Sequence, residues 1–290
     1  MSRNQREIRD DEFRVLGGAK GAKFPLWLKI ILLLVALAAI VACLILFLNK
    51  HEDVEPQDGV FEQEIVQQDI TQTIELKPFG VETAESFTEK IDTVINDIPL
   101  TLYIPHNAEP QLVVGRPDVK DSQIILAAQA ADIRRDNKKI LGAFVLKGEP
   151  LAWGLSKKGY CAIIEGNMTI GYSENSPLFE EATETGGYFF RQYPLVSEGV
   201  LVENELKNKS IRKGLCSRAG EIFIAVTQTS ESLHDFSQAL VDLGVDNAIY
   251  LIGSSLAYGF YTDSTSTLTL FNPDPVPFRY KNENYVVWRR

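Results

Sequence analysis

The sequence predicts an α+β domain with a strand-rich, mixed or antiparallel sheet and a few flanking helices, preceded by one transmembrane helix. Short apolar segments recur between turns that contain Gly or Asn, a pattern typical of strands joined by hairpins. Only one segment beyond residue 84 has clear helical periodicity, which disfavours an α/β fold with a parallel sheet. A long apolar run near the N-terminus has the length of a membrane span.

The membrane span is predicted for residues 25–48. After Lys29 the chain continues for 19 residues without a charge, and about 20 apolar residues cross a bilayer as a helix. The first 29 residues carry 7 basic and 4 acidic groups, whereas acidic residues dominate directly after the span. This asymmetry predicts a cytoplasmic N-terminus and a periplasmic or extracellular C-terminal domain. A lipobox-like sequence at Cys43 offers lipidation as the alternative, which the apolar residues after that cysteine disfavour.

Composition divides the rest of the chain. Residues 1–24 are predicted to be a cytoplasmic tail, and the acidic, Gln-rich residues 49–84 a stalk. Residues 85–290 are predicted to form the globular domain. The formal charge of the whole chain is −10, and the part beyond residue 29 carries 22 − 35 = −13. This acidity argues against a general nucleic-acid binder, and no nucleic-acid partner is expected.

The first half of the domain predicts strands and hairpins. Alternating apolar residues over 100–104 follow the turn pair Asn96-Asp97 and predict a hairpin. Residues 123–133 are apolar and then small, which favours a buried strand. Two further hairpins are predicted, with turns at Lys147-Gly148 and at Gly166-Asn167.

The second half contains the one well-signalled helix. Apolar residues recur at helical spacing over 233–243, either Ser230 or Ser232 is placed to cap the helix, and Gly244 supplies a left-handed stop. Before the helix, residues 221–228 form a continuous apolar strand. Further strands are predicted at 248–252, 256–262 and 285–288.

Cysteine and histidine usage restricts the chemistry. Cys161 and Cys216 lie in the part predicted to be exported. The sequence is compatible with a disulfide between them and with two buried free thiols. The three histidines are not in ligand spacing and the cysteines are too few for structural zinc, so no metal is expected. No phosphate-binding glycine motif or serine-hydrolase elbow occurs, and no cofactor is expected.

Two local features are candidates for ligand contact. The turn Gly253-Ser254-Ser255 follows a buried strand, and its amides and hydroxyls suit an anion or a sugar hydroxyl. A plain tight turn is the alternative. A sugar can stack on Tyr188 while Arg191 faces a phosphate. A strand with buried aromatic residues is the alternative there.

Three motifs occur in a fixed order in the second half. Arg-Lys-Gly-Leu-Cys begins at Arg212, a helix over 235–244 ends in Leu-Gly, and Tyr-Leu-Ile-Gly-Ser-Ser occupies 250–255. In this order the stretch 210–262 resembles the closing half of the phosphodiester glycosidase family. That family includes the domain that removes N-acetylglucosamine from a phosphodiester to uncover mannose 6-phosphate.

The resemblance extends more thinly over residues 95–290. The sequence Tyr-Pro-Leu-Val at 193–196, followed by Glu198-Gly199, is similar to a hairpin of the family. The whole chain resembles anchored members from Bacteroides-type bacteria, which implies a periplasmic location.

The departures from the family pattern concern the expected chemistry. Ile252 stands at the motif aspartate, Ser254 and Ser255 replace two glycines, and Gln129-Ala130 replaces an Asn-Gly pair. Cleavage of a glycosyl phosphodiester develops positive charge on the sugar, which a carboxylate stabilises, and negative charge on the phosphate, which an arginine binds. The expected arginine is present as Arg212. Ile252, at the position of the aspartate, can neither transfer a proton nor stabilise a cation.

Three functions follow from the resemblance and its departures. The preferred interpretation is a membrane-anchored, catalytically degenerate member that binds a glycan or sugar-phosphate. The second is an active hydrolase that uses Arg212 with Asp132 or Asp246 as the displaced carboxylate. The third is a structural or interaction module that retains only the fold. The bilayer is the expected partner of residues 25–48, and the ligand would contact Gln129, Arg212, Gly253, Ser254, Ser255, Tyr188 and Arg191.

Overall fold

The structure, a computed structural model, describes most of the predicted globular domain. The predicted tail, membrane span and stalk, together with Cys43, lie outside the described residues. Within the part that is described, no helix combines the length and apolar character needed to cross a bilayer. The described ranges are 85–205, 208–254, 257–263, 265, 268–270 and 280–290.

Strands dominate the described residues, as the sequence predicts. The helices are α1 (Leu178–Glu184) and α2 (Leu233–Asp242). The strands are β1 (Phe87–Ile95), β2 (Ile98–His106), β3 (Glu109–Val114), β4 (Ile124–Gln129), β5 (Ala143–Leu146), β6 (Glu149–Trp153), β7 (Gly159–Ile164), β8 (Asn167–Tyr172), β9 (Tyr188–Gln192), β10 (Pro194–Ser197), β11 (Val200–Leu201), β12 (Lys213–Arg218), β13 (Glu221–Thr227), β14 (Asn247–Leu251), β15 (Gly259–Thr262), β16 (Leu268–Leu270) and β17 (Asn284–Arg289).

These strands form three sheets. The largest has the order β1-β2-β13-β12-β14-β10-β11, the second β16-β15-β4-β17-β3, and the third β6-β5-β9-β7-β8. Every strand pairing in the described part of the chain is antiparallel, so the mixed sheet that the sequence also allowed is not found there.

The hairpin turns compared with the sequence occur at or next to the predicted residues, and one of them is displaced by one residue. Asn96 and Asp97 both have positive φ and join β1 to β2, as expected for a two-residue hairpin turn. The turn predicted at Gly166-Asn167 lies one residue earlier. Glu165 and Gly166 take the positive φ angles, and Asn167 already pairs with Ile164 in the ladder. The strand predicted over 256–262 begins at Gly259.

The middle strands are buried on both faces. In β4, Leu126 belongs to a core that all three sheets share, whereas Ala127 packs on the other face of its sheet. In β9, Phe190 faces the shared core and Phe189 packs against α1. Since side chains alternate between the two faces of a strand, a strand covered on both sides is a continuous apolar run in the sequence.

Helix α2 has the boundaries that its caps predict. The Ser232 side chain accepts a hydrogen bond from the Asp235 amide at 3.0 Å, so Ser232 and not Ser230 is the N-cap. Phe236 and Leu240 are fully buried against the outer face of the largest sheet. Gly244 follows the helix with φ +83°.

The two described cysteines are not bonded to each other. Cys161 lies in the core shared by the three sheets, and Cys216 lies on the α2 side of the largest sheet. Burial raises the pKa of both thiols above their ordinary value. Of the two possibilities that the sequence left open, the structure shows buried free thiols.

The capping geometry of α2 predicts unequal effects for two nearby serines. Ser232→Ala removes the acceptor for the Asp235 amide and is expected to lower the free energy of unfolding by about 1 kcal/mol. Ser230→Ala is the matched control, with an expected change near zero because Ser230 is exposed and lies outside the cap. Urea unfolding followed by circular dichroism measures both, and equal losses would contradict the assignment.

Candidate functional site

The candidate site lies where the ends of β14 and β4 meet. The Ile252 amide donates a hydrogen bond of 3.1 Å to the Gln129 carbonyl oxygen. This contact joins the largest sheet to the second sheet, from the residue after β14 to the last residue of β4. Both residues are partly buried. The structure therefore brings together the two segments in which the sequence departs from the family pattern.

The turn at Gly253 uses its amides within the protein. The Gly253 amide donates to the Tyr250 hydroxyl at 3.1 Å, and the Ser254 amide donates to the Ile211 carbonyl at 2.9 Å. A Cβ atom at Gly253 would lie 2.4 Å from that same carbonyl oxygen, so only glycine fits this approach. Both of these amides, which the sequence offered for an anion, are therefore already donors within the protein. Ser255 lies outside the described residues.

Arg212 is buried beside this turn, immediately before β12. Its Nε donates to the Glu231 carbonyl at 2.8 Å, and its Nη2 donates to the Asn208 carbonyl. The guanidinium carbon lies 6.0 Å from the centre of the Tyr250 ring. The residue is only 2% exposed, and no carboxylate in the described ranges forms an ion pair with it. Arg212 therefore places a positive charge next to the turn with carbonyl dipoles as its partners.

A second buried cation, Lys157, lies on the neighbouring segment before β7. Its ammonium forms an ion pair with the Asp132 carboxylate and donates to the Gln192 side-chain oxygen at 2.9 Å. It also lies 4.5 Å from the centre of the Tyr193 ring. The Lys157 side chain is 3% exposed, whereas that of Asp132 is 33% exposed. The pair is thus a buried ammonium whose carboxylate partner still reaches solvent.

Burial has an electrostatic consequence for Lys157. Removal of the ammonium from water lowers its pKa to about 7. Burial also lowers the pKa of Lys213, at the start of β12, to about 8. Both lysines therefore change charge at lower pH than an exposed lysine.

Buried amides fix the backbone that carries Asp132. The Asn284 side chain accepts from the Ala131 amide at 2.7 Å and donates to the Ala131 carbonyl at 3.1 Å. The Gln192 side chain donates to the Ala130 carbonyl at 3.2 Å and accepts from the Tyr193 amide at 3.0 Å. Asn284 and Gln192 are fully buried. They hold the segment after β4 in one position relative to Lys157.

Each cation lies beside a tyrosine ring, and a backbone hydrogen bond joins the two tyrosines. The Tyr250 amide donates to the Tyr193 carbonyl at 2.8 Å. Arg212 lies beside the first ring and Lys157 beside the second. Asp132 is the carboxylate that the described contacts place with them. Such an arrangement suits a ligand with one anionic group and adjacent apolar or hydroxyl surface.

Other predicted site residues lie elsewhere. Asp246 precedes β14 and accepts from the Ala219 amide at 2.7 Å, so it caps the hairpin turn between β12 and β13. Gly253 lies at the opposite end of β14, about 20 Å away for an extended strand. The structure therefore does not bring Asp246 to this site.

The structure places Tyr188 and Arg191, which were predicted to contact a sugar and a phosphate, on opposite faces of β9. Tyr188 packs against the core shared by the sheets, on the same face of β9 as Phe190. Arg191 follows Phe190 and, by strand alternation, lies on the other face. There it donates to the carbonyls of Lys157, Ser173 and Glu174.

Sequence reasoning missed the residues that complete the site. Lys157, Gln192 and Asn284 are polar side chains that only the fold buries. No motif or spacing in the sequence marks them, because their partners lie in other strands and loops. Among the residues described, no group of three or more His, Cys, Asp or Glu side chains is arranged to hold a metal ion.

Comparison with known proteins identifies a distant fold relationship. No family model matches the chain, and the curated protein sequences contain no significant match. Among solved structures, the chain is similar to the catalytic domain of zebrafish N-acetylglucosamine-1-phosphodiester alpha-N-acetylglucosaminidase, in a form auto-inhibited by its pro-peptide. The identity is 14% and the TM-score 0.53, over 71% of this chain and 83% of that one.

A hypothetical protein from Synechocystis also matches, with 14% identity and a TM-score of 0.48 over 70% of this chain and 62% of that one. At 14% identity, the similarity to the zebrafish domain shows the fold alone. The fold expected from the resemblance is therefore supported by the zebrafish domain.

The low pKa of Lys157 predicts a pH-dependent stability. An unfolded lysine titrates near 10.4, so between about pH 7 and pH 10 the unfolded chain binds more protons at this residue than the folded chain. The free energy of unfolding therefore rises with pH through this window, by up to about 1.4 kcal/mol per pH unit. Lys157→Met is expected to lose this increment in urea unfolding measured from pH 7 to pH 10.

The adjacent Lys158→Met is the control for this effect. Lys158 is exposed and its pKa is raised by Glu174, so its removal leaves the slope between pH 7 and pH 10 unchanged. Identical pH profiles for the wild type and Lys157→Met would show that the ammonium is not buried in solution.

Proposed function

We propose that the domain is a catalytically degenerate, phosphodiester-glycosidase-like module that binds a glycan through an anionic group, such as the phosphate of a sugar-phosphate. The observation that carries this proposal is the pair of buried cations, Arg212 and Lys157, beside Tyr250 and Tyr193. One carboxylate, Asp132, accompanies them. With two basic side chains to one carboxylate, these residues favour an anionic group such as a phosphate over a neutral one.

Arg212 is the residue that best suits a phosphate. Two of its nitrogens are already directed by backbone carbonyls, which fixes the guanidinium plane. The hydrogen bonds of Arg212 to the described residues use Nε and Nη2, and none uses the remaining terminal nitrogen, Nη1. A pre-oriented guanidinium binds a phosphate oxygen without the loss of side-chain freedom that a mobile arginine undergoes.

The same geometry argues against efficient turnover. Ile252 occupies the junction with Gln129, at the position where the resemblance implies a catalytic aspartate. Asp132 is the nearby carboxylate, but its oxygen is engaged by the Lys157 ammonium. A carboxylate that must leave an ion pair before it accepts a proton is a poor general base, and loss of acid–base assistance costs about two to four powers of ten in rate.

An active hydrolase remains the second candidate, and one observation favours it. The Asp132 side chain is one-third exposed and is carried on a segment that Asn284 and Gln192 hold in place. A positioned, solvent-accessible carboxylate is what a general base requires. In this function Lys157 would orient Asp132 and Arg212 would bind the leaving phosphate.

We propose further that residues 25–48 anchor the chain in the bacterial inner membrane with the domain in the periplasm. The support is the sequence itself: an uncharged run of membrane-spanning length, with basic residues before it and acidic residues after it. A periplasmic domain would meet envelope glycans and sugar-phosphates directly.

Anion binding is tested by calorimetric titration of the full-length chain with N-acetylglucosamine 1-phosphate. Arg212→Gln is expected to weaken binding at least tenfold, because a charged hydrogen bond contributes about 1.5–3 kcal/mol. Neutral N-acetylglucosamine is expected to bind more weakly than the phosphate. Higher salt should weaken the binding of N-acetylglucosamine 1-phosphate but not that of neutral N-acetylglucosamine.

Arg218→Gln is the matched control for this titration. Arg218 is a buried arginine at the other end of β12, and its substitution should leave affinity unchanged. Absence of binding by the wild type would favour the structural module. Rapid release of N-acetylglucosamine from a phosphodiester, abolished in Asp132→Asn, would replace the degenerate function with the hydrolase.

Membrane anchoring is tested by cell fractionation. The full-length chain should stay with membranes after alkaline carbonate extraction, and a chain lacking residues 25–48 should not. Protease added to spheroplasts should digest the C-terminal domain of the full-length chain. Protection of the domain would reverse the proposed orientation, and carbonate release of the full-length chain would exclude a membrane-spanning anchor.

A further inference from the structure

A separate cleft of about 480 Å³ opens on the third sheet, between the end of β6 and helix α1. Its apolar wall includes Trp153 and Leu155, each 67% exposed, and the Phe179 ring from α1. Tryptophans with most of their surface exposed are uncommon on soluble domains. Burial of the large indole ring is strongly favourable, and an exposed ring forgoes that free energy. The cleft therefore presents an aromatic surface that the described residues leave uncovered.

The polar side of the cleft complements that surface. Asn175 and Glu180 are exposed side chains along its rim. Arg191 forms part of the wall, is 2% exposed, and has a buried Nε without a hydrogen-bond partner among the described residues. Its other guanidinium nitrogens donate to backbone carbonyls. An unsatisfied buried donor is costly, and an acceptor oxygen from a ligand would remove that cost.

The combination identifies the chemical class of ligand. A pyranose ring has an apolar face of C–H groups and a rim of hydroxyls, so it stacks on an indole ring while its oxygens meet amide, carboxylate and guanidinium groups. The volume suits one or two sugar units. We propose that this cleft binds a neutral hexopyranose unit of an oligosaccharide, stacked on Trp153 and hydrogen-bonded to Asn175 and Arg191.

The cleft lies next to the candidate functional site without being part of it. Arg191 Nη1 donates to the Lys157 carbonyl at 3.2 Å, so the loop from Leu155 to Lys157 carries the wall of the cleft and the ammonium of the site. The following residue of β9, Gln192, hydrogen-bonds the Lys157 ammonium. The cleft makes its contacts through Trp153, so its binding of neutral sugars does not depend on Arg212 or on the proposed function.

The test is titration of the full-length chain with neutral four-unit oligosaccharides, namely the β-1,4-linked tetramers of glucose and of N-acetylglucosamine and the α-1,4-linked tetramer of glucose. At least one should bind and shift the tryptophan emission to shorter wavelength as Trp153 leaves water. Trp153→Ala should weaken binding about tenfold or more and abolish the shift. Asn175→Ala should weaken binding several-fold. This variant tests the polar contacts of the cleft, and it removes an exposed side chain instead of a buried one.

Two further variants show whether sugar binding takes place in the cleft itself. Tyr280→Ala removes another exposed aromatic residue outside the cleft and should leave affinity unchanged. Arg212→Gln should retain oligosaccharide binding, whereas it loses the anionic ligand of the proposed function. The proposal fails if none of the three tetramers binds, or if Trp153→Ala binds them as well as the wild type does.

Discussion

The hydrogen bond from the Ile252 amide to the Gln129 carbonyl is the contact on which the candidate site depends. It joins the ends of two strands that belong to different sheets, and both strands are buried on either face. Where a chain leaves a sheet without reaching solvent, its backbone N–H and C=O groups need new hydrogen-bond partners, because an unpaired buried amide is costly. The turn at Gly253 meets the same requirement through the Tyr250 hydroxyl and the Ile211 carbonyl.

That requirement explains why the proposed ligand contacts come from side chains. The amides near Gly253 are committed to holding the turn, so positive charge is supplied by Arg212 and Lys157. Burial strengthens electrostatic interactions with a ligand, and it also makes the charged form of Lys157 less stable. Carbonyl oxygens around Arg212 and the Asp132 carboxylate beside Lys157 offset that cost, which leaves little freedom for either cation to move.

The two proposed ligand contacts lie on either side of one short loop. Cationic groups and tyrosine rings lie on the side of Lys157 and Tyr193. An exposed indole and neutral polar side chains lie on the side of Trp153 and Asn175. A polymer with anionic and neutral sugar units presents both kinds of chemistry.

The sequence by itself determined the local features of this domain. Asn96-Asp97 specifies a two-residue hairpin, and Ser232 and Gly244 set the limits of α2, because backbone preferences and caps act between neighbours in the chain. Only the tertiary structure decided that Asp132 meets Lys157 and that Asp246 closes a distant hairpin. Those contacts join residues from separate strands and loops, and burial and pairing at that distance depend on how the three sheets pack.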